Sequence, residues 1–170
     1  MKHRLNKILF ISVCLSAILL VAWAAGFRIN MSASVPQGIY RISNAPFLPG
    51  DMASVCLPSD WSLLAMERGY IGTGSCPDGS QPLVKRVAAL PGDAIDIDYE
   101  GIRINGELQP QSVFQKLDSK GRKMWSNLVP CYIPSGYVLL LSTMPTGFDS
   151  RYFGLVPLSS IKRVVPIITF

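Results

Sequence analysis

The fold class is indicated most clearly by residues 94–106, which read AIDIDYEGIRING. Apolar residues fall at every second position on both sides of Glu100-Gly101, which is the period of a strand with one buried face. Glu100-Gly101 and Asn105-Gly106 are typical turn dipeptides between strands. The stretch therefore predicts a hairpin meander in which Asp96 and Asp98 face water, so a paired-carboxylate active site is not expected there.

The flanking sequence continues the β pattern. Proline and glycine recur at short intervals, as in 49–51 and 91–93, and short apolar segments lie between them. Residues 138–141 form an unbroken apolar run, which predicts a strand covered on both faces. Residues 164–170 predict a closing strand with Pro166 at an edge, where no N–H is needed for pairing. We therefore expect a mainly β fold.

Two other segments are predicted between the strands. A helix should begin at Ser59 or Asp60 as its N-cap and end at Arg68, with Gly69 as its stop. Residues 109–123 are polar and basic, which is typical of an exposed loop.

The N-terminal part has the pattern of a membrane anchor. Residues 8–27 contain no charge, and this is about the length needed to cross a bilayer as a helix. Segment 1–7 is basic, whereas only Arg28 follows the apolar run directly. This asymmetry predicts that 1–7 is cytoplasmic and that 28–170 is an extracytoplasmic domain. A cleaved signal peptide stays open, because residues 22–25 have the small-residue pattern of a cleavage site, but the apolar run continues past it.

The charge distribution argues against nucleic-acid binding. The formal net charge is +5, and segment 1–7 holds three of those charges. Lysine and arginine residues beyond position 27 are scattered among acidic ones, so no basic stripe is expected. The chain is therefore not predicted to bind nucleic acid.

The four cysteines separate by compartment. Cys14 lies in the predicted anchor, and Cys56, Cys76 and Cys131 lie in the exported part, where disulfides persist. We favour the Cys56–Cys76 pair because it closes a modest loop, although sequence alone does not decide connectivity. A zinc site is the alternative, but the three cysteines are widely spaced and have no histidine near them.

The single histidine limits the possible chemistry. His3 lies in the predicted cytoplasmic segment, which excludes Ser-His-Asp and Cys-His sites in the exported domain. A nucleophilic hydroxyl there would need another base, and a lysine kept neutral by desolvation can serve.

Three segments could supply such a site. Residues 30–40 read NMSASVPQGIY, with Ser34 before a proline turn, and 82–93 read PLVKRVAALPGD, with Lys85 inside an apolar strand. A buried lysine in such a strand is costly unless its amine is neutral or paired. Residues 148–154, FDSRYFG, form a charged aromatic turn directly after the apolar run.

In this order the three segments resemble the type I signal peptidase superfamily. Residues 34–40 (SVPQGIY), 67–70 (ERGY) and 74–77 (GSCP) are most similar to its conjugal-transfer branch, the TraF-type pilin-processing peptidases. The resemblance covers essentially the whole chain. It implies a signal-peptidase-like antiparallel β-sheet catalytic domain with one N-terminal transmembrane helix. It also implies a bacterial inner-membrane location with the catalytic domain on the periplasmic side.

The resemblance also implies roles for individual residues. Ser34 would be the nucleophile and Lys85 the general base of a serine endopeptidase. Asp149 and Arg151 would support the site as a pair, and the Ser32 hydroxyl would help to bind the oxyanion.

One position departs from the pattern of the superfamily. Many relatives have a serine two residues before the aspartate of the third motif, where it helps to orient the lysine. That position is Gly147 here, so other contacts are expected to hold Lys85.

The function implied is processing of a pilin or another membrane-held precursor during conjugative transfer, in contact with membrane lipid and without a cofactor or metal. Hydrolysis and cyclisation both stay open, and the sequence does not indicate an oligomeric state. The alternatives are a general type I signal peptidase and a non-catalytic anchored component of a transfer or secretion apparatus.

Overall fold

The protein consists of an N-terminal helix followed by a mainly antiparallel β domain. This computed structural model describes residues 2–31 and 34–170. The helices are α1 (Lys2–Ala24), α2 (Ser59–Glu67) and α3 (Ser150–Phe153), with a 3-10 turn at Leu158–Ser160. The strands are β1 (Phe27–Asn30), β2 (Gly38–Ser43), β3 (Met52–Val55), β4 (Leu83–Ala89), β5 (Ala94–Asp98), β6 (Gly101–Ile104), β7 (Glu107–Leu108), β8 (Cys131–Tyr132), β9 (Tyr137–Leu141), β10 (Val156–Pro157) and β11 (Ile161–Thr169).

Helix α1 is the candidate membrane span. By length and composition, His3–Ala24 could cross a bilayer, and its window of highest hydropathy is not buried against the rest of the molecule. The helix begins at Lys2, so it includes most of the basic segment 1–7. It ends at Ala24, and Phe27 already belongs to β1. The predicted anchor of residues 8–27 therefore runs past the end of the helix.

The strands form two sheets. The larger has the order β1-β2-β11-β3-β4-β9-β10, and the smaller has the order β7-β6-β5-β8. All the named pairs in both sheets are antiparallel. The expectation of a mainly β fold is confirmed.

The predicted meander forms β5, β6 and β7. Asp96 and Asp98 are exposed, as expected. Asn105 and Gly106 have φ values of 51° and 84°, which suits a two-residue hairpin turn. Gly101 is paired with Asp98, so it begins β6 instead of lying in the turn.

Strand β11 differs from the expected closing strand. It starts at Ile161, earlier than the predicted 164–170, and lies inside the larger sheet between β2 and β3. Its pairing with β3 ends at Val164, so Pro166 faces no partner on that side. On its other side Pro166 pairs with Tyr40 of β2, where a register irregularity begins, so the proline is at an edge only toward β3.

Helix α2 packs the core of the larger sheet. Its N-cap is Pro58, so neither Ser59 nor Asp60 is the cap, but its end next to Gly69 is as expected. Trp61 and Ala65 of the helix are buried against strand residues of the same core. Val138 to Leu141 of β9 are at most 1% exposed, which confirms the strand predicted to be covered on both faces.

A disulfide joins Cys56 and Cys76, the pair favoured from the sequence, with an S–S distance of 2.12 Å. It ties the end of β3 to the segment that follows α2. Cys14 and Cys131 are free thiols. Because Cys56 and Cys76 are bonded to each other, they cannot hold zinc.

Candidate active site

Ser34 lies on the turn between β1 and β2, and the residues that follow it anchor this turn. Val35 is 1% exposed and forms a small apolar cluster with Tyr40 of β2 and Val164 of β11. A proline follows Val35, which restricts the backbone of Val35 to extended conformations. Burial of Val35 therefore fixes the Ser34 turn against the sheet.

Polar contacts hold the same turn. The amide of Asn30 donates to the Pro36 carbonyl at 3.1 Å, and the Tyr40 hydroxyl donates to the same oxygen at 2.7 Å. A Cβ at Gly38 would lie 2.0 Å from the Ile168 carbonyl oxygen, so only glycine allows β2 to approach β11 here.

Lys85 faces this turn from the middle of β4. Its side chain is 1% exposed, and its Nζ lies 2.7 Å from the Oγ of Ser34. Burial lowers the pKa of the Lys85 amine from its usual 10.5 to about 8, with Asp149 raising it and Arg151 lowering it. With this pKa, roughly a tenth of the amine is neutral at pH 7, far more than for an ordinary lysine.

Asp149 and Arg151 form a second buried group behind Ser34. Asp149 is fully buried and caps α3 by accepting from the Arg151 N–H at 3.0 Å. The Arg151 guanidinium binds both carboxylate oxygens at 2.8 Å. This bidentate geometry is the strongest form of such a pair.

The remaining donors of Arg151 hold two loops together. They bind the backbone carbonyls of Gln111, Val113, Met144, Pro145 and Gly147 at 2.6–3.2 Å. Arg151 therefore shapes the turn between β9 and α3 and docks the segment after β7 onto it.

Sequence analysis missed two residues that contact Ser34. The Ser34 carbonyl oxygen accepts from the Thr143 hydroxyl at 3.0 Å and from the Thr143 N–H at 3.2 Å. The Ser142 hydroxyl lies 3.4 Å from the same oxygen. Both residues follow the buried strand β9 directly, and polar residues at the end of such a strand are a signal that could have identified them.

The predicted role of Ser32 stays a prediction. Ser32 lies outside the described residues, so its contribution to oxyanion binding has no structural counterpart here.

A cleft of about 930 Å³ contains Ser34 and Lys85. Its lining extends from Trp23, near the end of α1, and Arg28 of β1 to the loop before β8. Tyr70, Phe148, Tyr152 and Met124 supply much of the apolar wall. Its volume lies at the upper end of the range typical of ligand-binding clefts.

The loop at 109–123 is not simply solvated. Gln115, Leu117, Asp118 and Ser119 line the cleft. The Asp118 side chain is 6% exposed and accepts from Tyr70 at 2.5 Å and from Arg122 at 2.6 Å. Its hydrogen bonds hold the pKa of Asp118 well below the usual range, although burial raises it. The loop is therefore pinned to the segment after α2 and forms one wall of the cleft.

Comparisons with known proteins identify a family for the chain. The family model described as "Signal peptidase, peptidase S26" matches residues 2–170. A plasmid transfer protein TraF from Escherichia coli is 41% identical over 166 residues, which covers 91% of this chain and 90% of the relative. The conjugal transfer protein TraF of Agrobacterium tumefaciens (strain 15955) is 34% identical over 177 residues, which covers 100% of this chain and 99% of that protein.

A solved structure of a signal peptidase I from Enterococcus faecalis V583 is similar to 72% of this chain and 99% of its own, with a TM-score of 0.40 and 23% identity. The family match and the relatives rest on nearly the full length of the chain. The chain therefore belongs to the signal peptidase, peptidase S26 family, with TraF conjugal transfer proteins among its relatives.

Proposed function

We propose that this chain is a serine endopeptidase in which Ser34 is the nucleophile and Lys85 the general base. The observation that carries the proposal is the 2.7 Å contact between the Ser34 Oγ and the buried Lys85 Nζ. A pKa of about 8 leaves the amine able to accept a proton near neutral pH. Membership of a peptidase family supports the same chemistry.

The proposed reaction has two stages. Neutral Lys85 takes the Ser34 hydroxyl proton as the oxygen attacks a substrate amide carbon, and a tetrahedral oxyanion forms. Protonated Lys85 then gives that proton to the leaving amine, the C–N bond breaks, and an acyl-enzyme remains. A water molecule or a substrate amine then attacks the ester carbon and loses its proton to Lys85; the ester C–O bond breaks, and Lys85 returns the proton to the Ser34 oxygen.

The proposed substrate is a membrane-held precursor, with a pilin of a conjugative element as the first candidate. Two relatives are named as plasmid or conjugal transfer proteins. The cleft begins at the end of the candidate span, so a substrate anchored in the same bilayer could enter from that side. The basic residues at the start of α1 support a cytoplasmic N-terminus and a site on the periplasmic side of the inner membrane.

The test is incubation of the detergent-solubilised full chain with a pilin precursor from the same genetic element. Ser34→Ala and Lys85→Ala are the inactive variants, and Lys120→Ala is the matched control because Lys120 is exposed on the loop before β8. Intact-mass spectrometry reads the products. A product one water lighter than the linear form would show cyclisation.

We expect the parent and Lys120→Ala to process the precursor and the other two variants to lose at least about 10³-fold in rate. Processing by Lys85→Ala at the parent rate would refute the lysine-base mechanism. Equal cleavage of an unrelated exported preprotein would favour a general signal peptidase. An intact precursor with every variant would favour a non-catalytic role in the transfer apparatus.

A further inference from the structure

The turn that carries Ser34 joins β1 and β2, but Lys85 lies on a strand that is not adjacent to either of them. Strands β11 and β3 lie between β2, which follows the turn, and β4, which carries Lys85. The contacts of Val35, Pro36 and Gly38 fix the turn on the β2 side. Other contacts are needed to hold the turn where Ser34 meets Lys85 of β4.

We propose that Ser142 and Thr143 are positioning residues that hold the backbone of Ser34, with Ser142 occupying the space that a side chain at position 147 would need. They follow β9, the neighbour of β4 on the other side. This inference rests on the proposed function of Ser34 as the nucleophile.

Thr143 makes the more direct contact. Its N–H and its hydroxyl both donate to the Ser34 carbonyl oxygen, at 3.2 Å and 3.0 Å. Because the peptide unit is planar, two donors on one carbonyl oxygen fix the orientation of the whole unit that follows Ser34. The direction of the Ser34 side chain toward Lys85 depends on that orientation.

Ser142 connects this contact to the buried ion pair. Its side chain is 3% exposed, and its hydroxyl lies 3.4 Å from the Ser34 carbonyl oxygen and accepts from the Met144 N–H at 3.1 Å. Its own N–H donates to the Asp149 carboxylate at 2.8 Å. Arg151 and Asp149 can therefore orient Ser34 through Ser142.

The Ser142 side chain fills the space beside Gly147. A Cβ built at Gly147 would lie 2.3 Å from both the Cβ and the Oγ of Ser142. Only one of the two positions can carry a side chain without a displacement. A serine at position 147, as in many relatives, would therefore collide with the Ser142 side chain.

The first test measures kcat, KM and thermal midpoint for Thr143→Val, Thr143→Ser and Ser142→Ala in the solubilised full chain with the pilin precursor. Thr143 is exposed, so its replacement should not disturb the core. We expect Thr143→Val to lose about 10- to 100-fold in kcat, since small displacements of reacting groups have effects of this size. KM and the thermal midpoint should hardly change, and Thr143→Ser should recover most of the rate.

Thr73→Val is the matched control because Thr73 is exposed and distant from the Ser34 turn in sequence. An unchanged kcat in both Thr143→Val and Ser142→Ala would overturn the inference. Equal losses in Thr143→Ser and Thr143→Val would also overturn it, because the hydroxyl would then have no role.

The second test uses the shared space. Gly147→Ser alone should inactivate the enzyme by displacing Ser142, whereas Ser142→Gly combined with Gly147→Ser should be more active than Gly147→Ser alone. If the loss of activity in the double variant equals the product of the losses in Ser142→Gly and Gly147→Ser, the two side chains do not share one space. A parent that leaves the precursor intact overturns the proposed function first, whereas a parent that depends on Ser34 but not on these residues overturns only this inference.

Discussion

Lys85 and Arg151 are two buried cations with opposite surroundings. Their exposed fractions are 1% and 2%, so both are removed from water. Arg151 makes a bidentate ion pair with Asp149 and donates to five backbone carbonyls. Lys85 lies against the Ser34 hydroxyl, and no carboxylate of residues 2–31 and 34–170 makes a salt bridge with it.

This difference separates a cation that fixes loops from an amine that can lose its proton. A guanidinium remains charged and must have its donors satisfied, which makes it suitable for fixing loops. An amine can instead lose its proton when burial disfavours the charge. The low pKa of Lys85 therefore follows from burial of the amine, which no carboxylate salt bridge offsets, while Arg151 pairs with Asp149 nearby.

The largest effect expected from breaking this arrangement is on stability at Arg151. Arg151→Met leaves the buried Asp149 carboxylate without its cation, and breaking a buried pair costs about 3–5 kcal/mol. Denaturant unfolding of the solubilised chain, followed by tryptophan fluorescence, measures it.

Arg103→Met is the matched control for Arg151→Met. Its ion pairs with Asp98 and Glu100 are largely exposed, so it should cost at most about 1 kcal/mol. Similar losses for the two variants would contradict a structural role specific to Arg151.

Lys85→Met should raise the free energy of unfolding, whereas Arg151→Met should lower it. At neutral pH the parent holds a mostly protonated amine in an apolar setting, and the lowering of its pKa from 10.5 to about 8 corresponds to a cost of roughly 3 kcal/mol. The variant should lose peptidase activity and gain stability, by up to that amount.

The gain in stability of Lys85→Met should depend on pH. Between about pH 8 and 10.5 the unfolded parent binds more protons at Lys85 than the folded parent, so parent stability rises with pH. The advantage of Lys85→Met should therefore be largest below pH 8 and disappear by about pH 10.5. A constant difference between pH 7 and 10 would contradict the assigned pKa.

Sequence reasoning identified much of the chemistry but not the contacts that organise it. Ser34 and Lys85 are 51 residues apart, and their proximity depends on the order of four strands, which local patterns do not encode. The family resemblance supplied that pairing. It did not supply Thr143, whose signal in the sequence is its place directly after an apolar run; that place does not specify a contact with Ser34.

Two elements were misjudged for a related reason. The polar composition of the loop at 109–123 favoured solvent, but Asp118 is buried by a partner from a distant segment, Tyr70. Residues 164–170 were predicted as a closing strand, but the position of that strand inside the sheet between β2 and β3 was not predicted. In both cases contacts with distant parts of the chain determine where the segment lies, and local composition does not encode those contacts.

The smallest effect, and the most direct test of the Lys85 environment, is the pH profile of activity. If neutral Lys85 is the base, kcat/KM should rise about tenfold per pH unit below pH 8 and level off above it, because the fraction of neutral amine follows its pKa. Steady-state rates on the pilin precursor from pH 6 to 10 measure this, with Lys120→Ala expected to follow the parent curve. A rate that is flat from pH 6 upward would mean that the titration of Lys85 does not limit the reaction, and Lys85 would then have the structural character of Arg151.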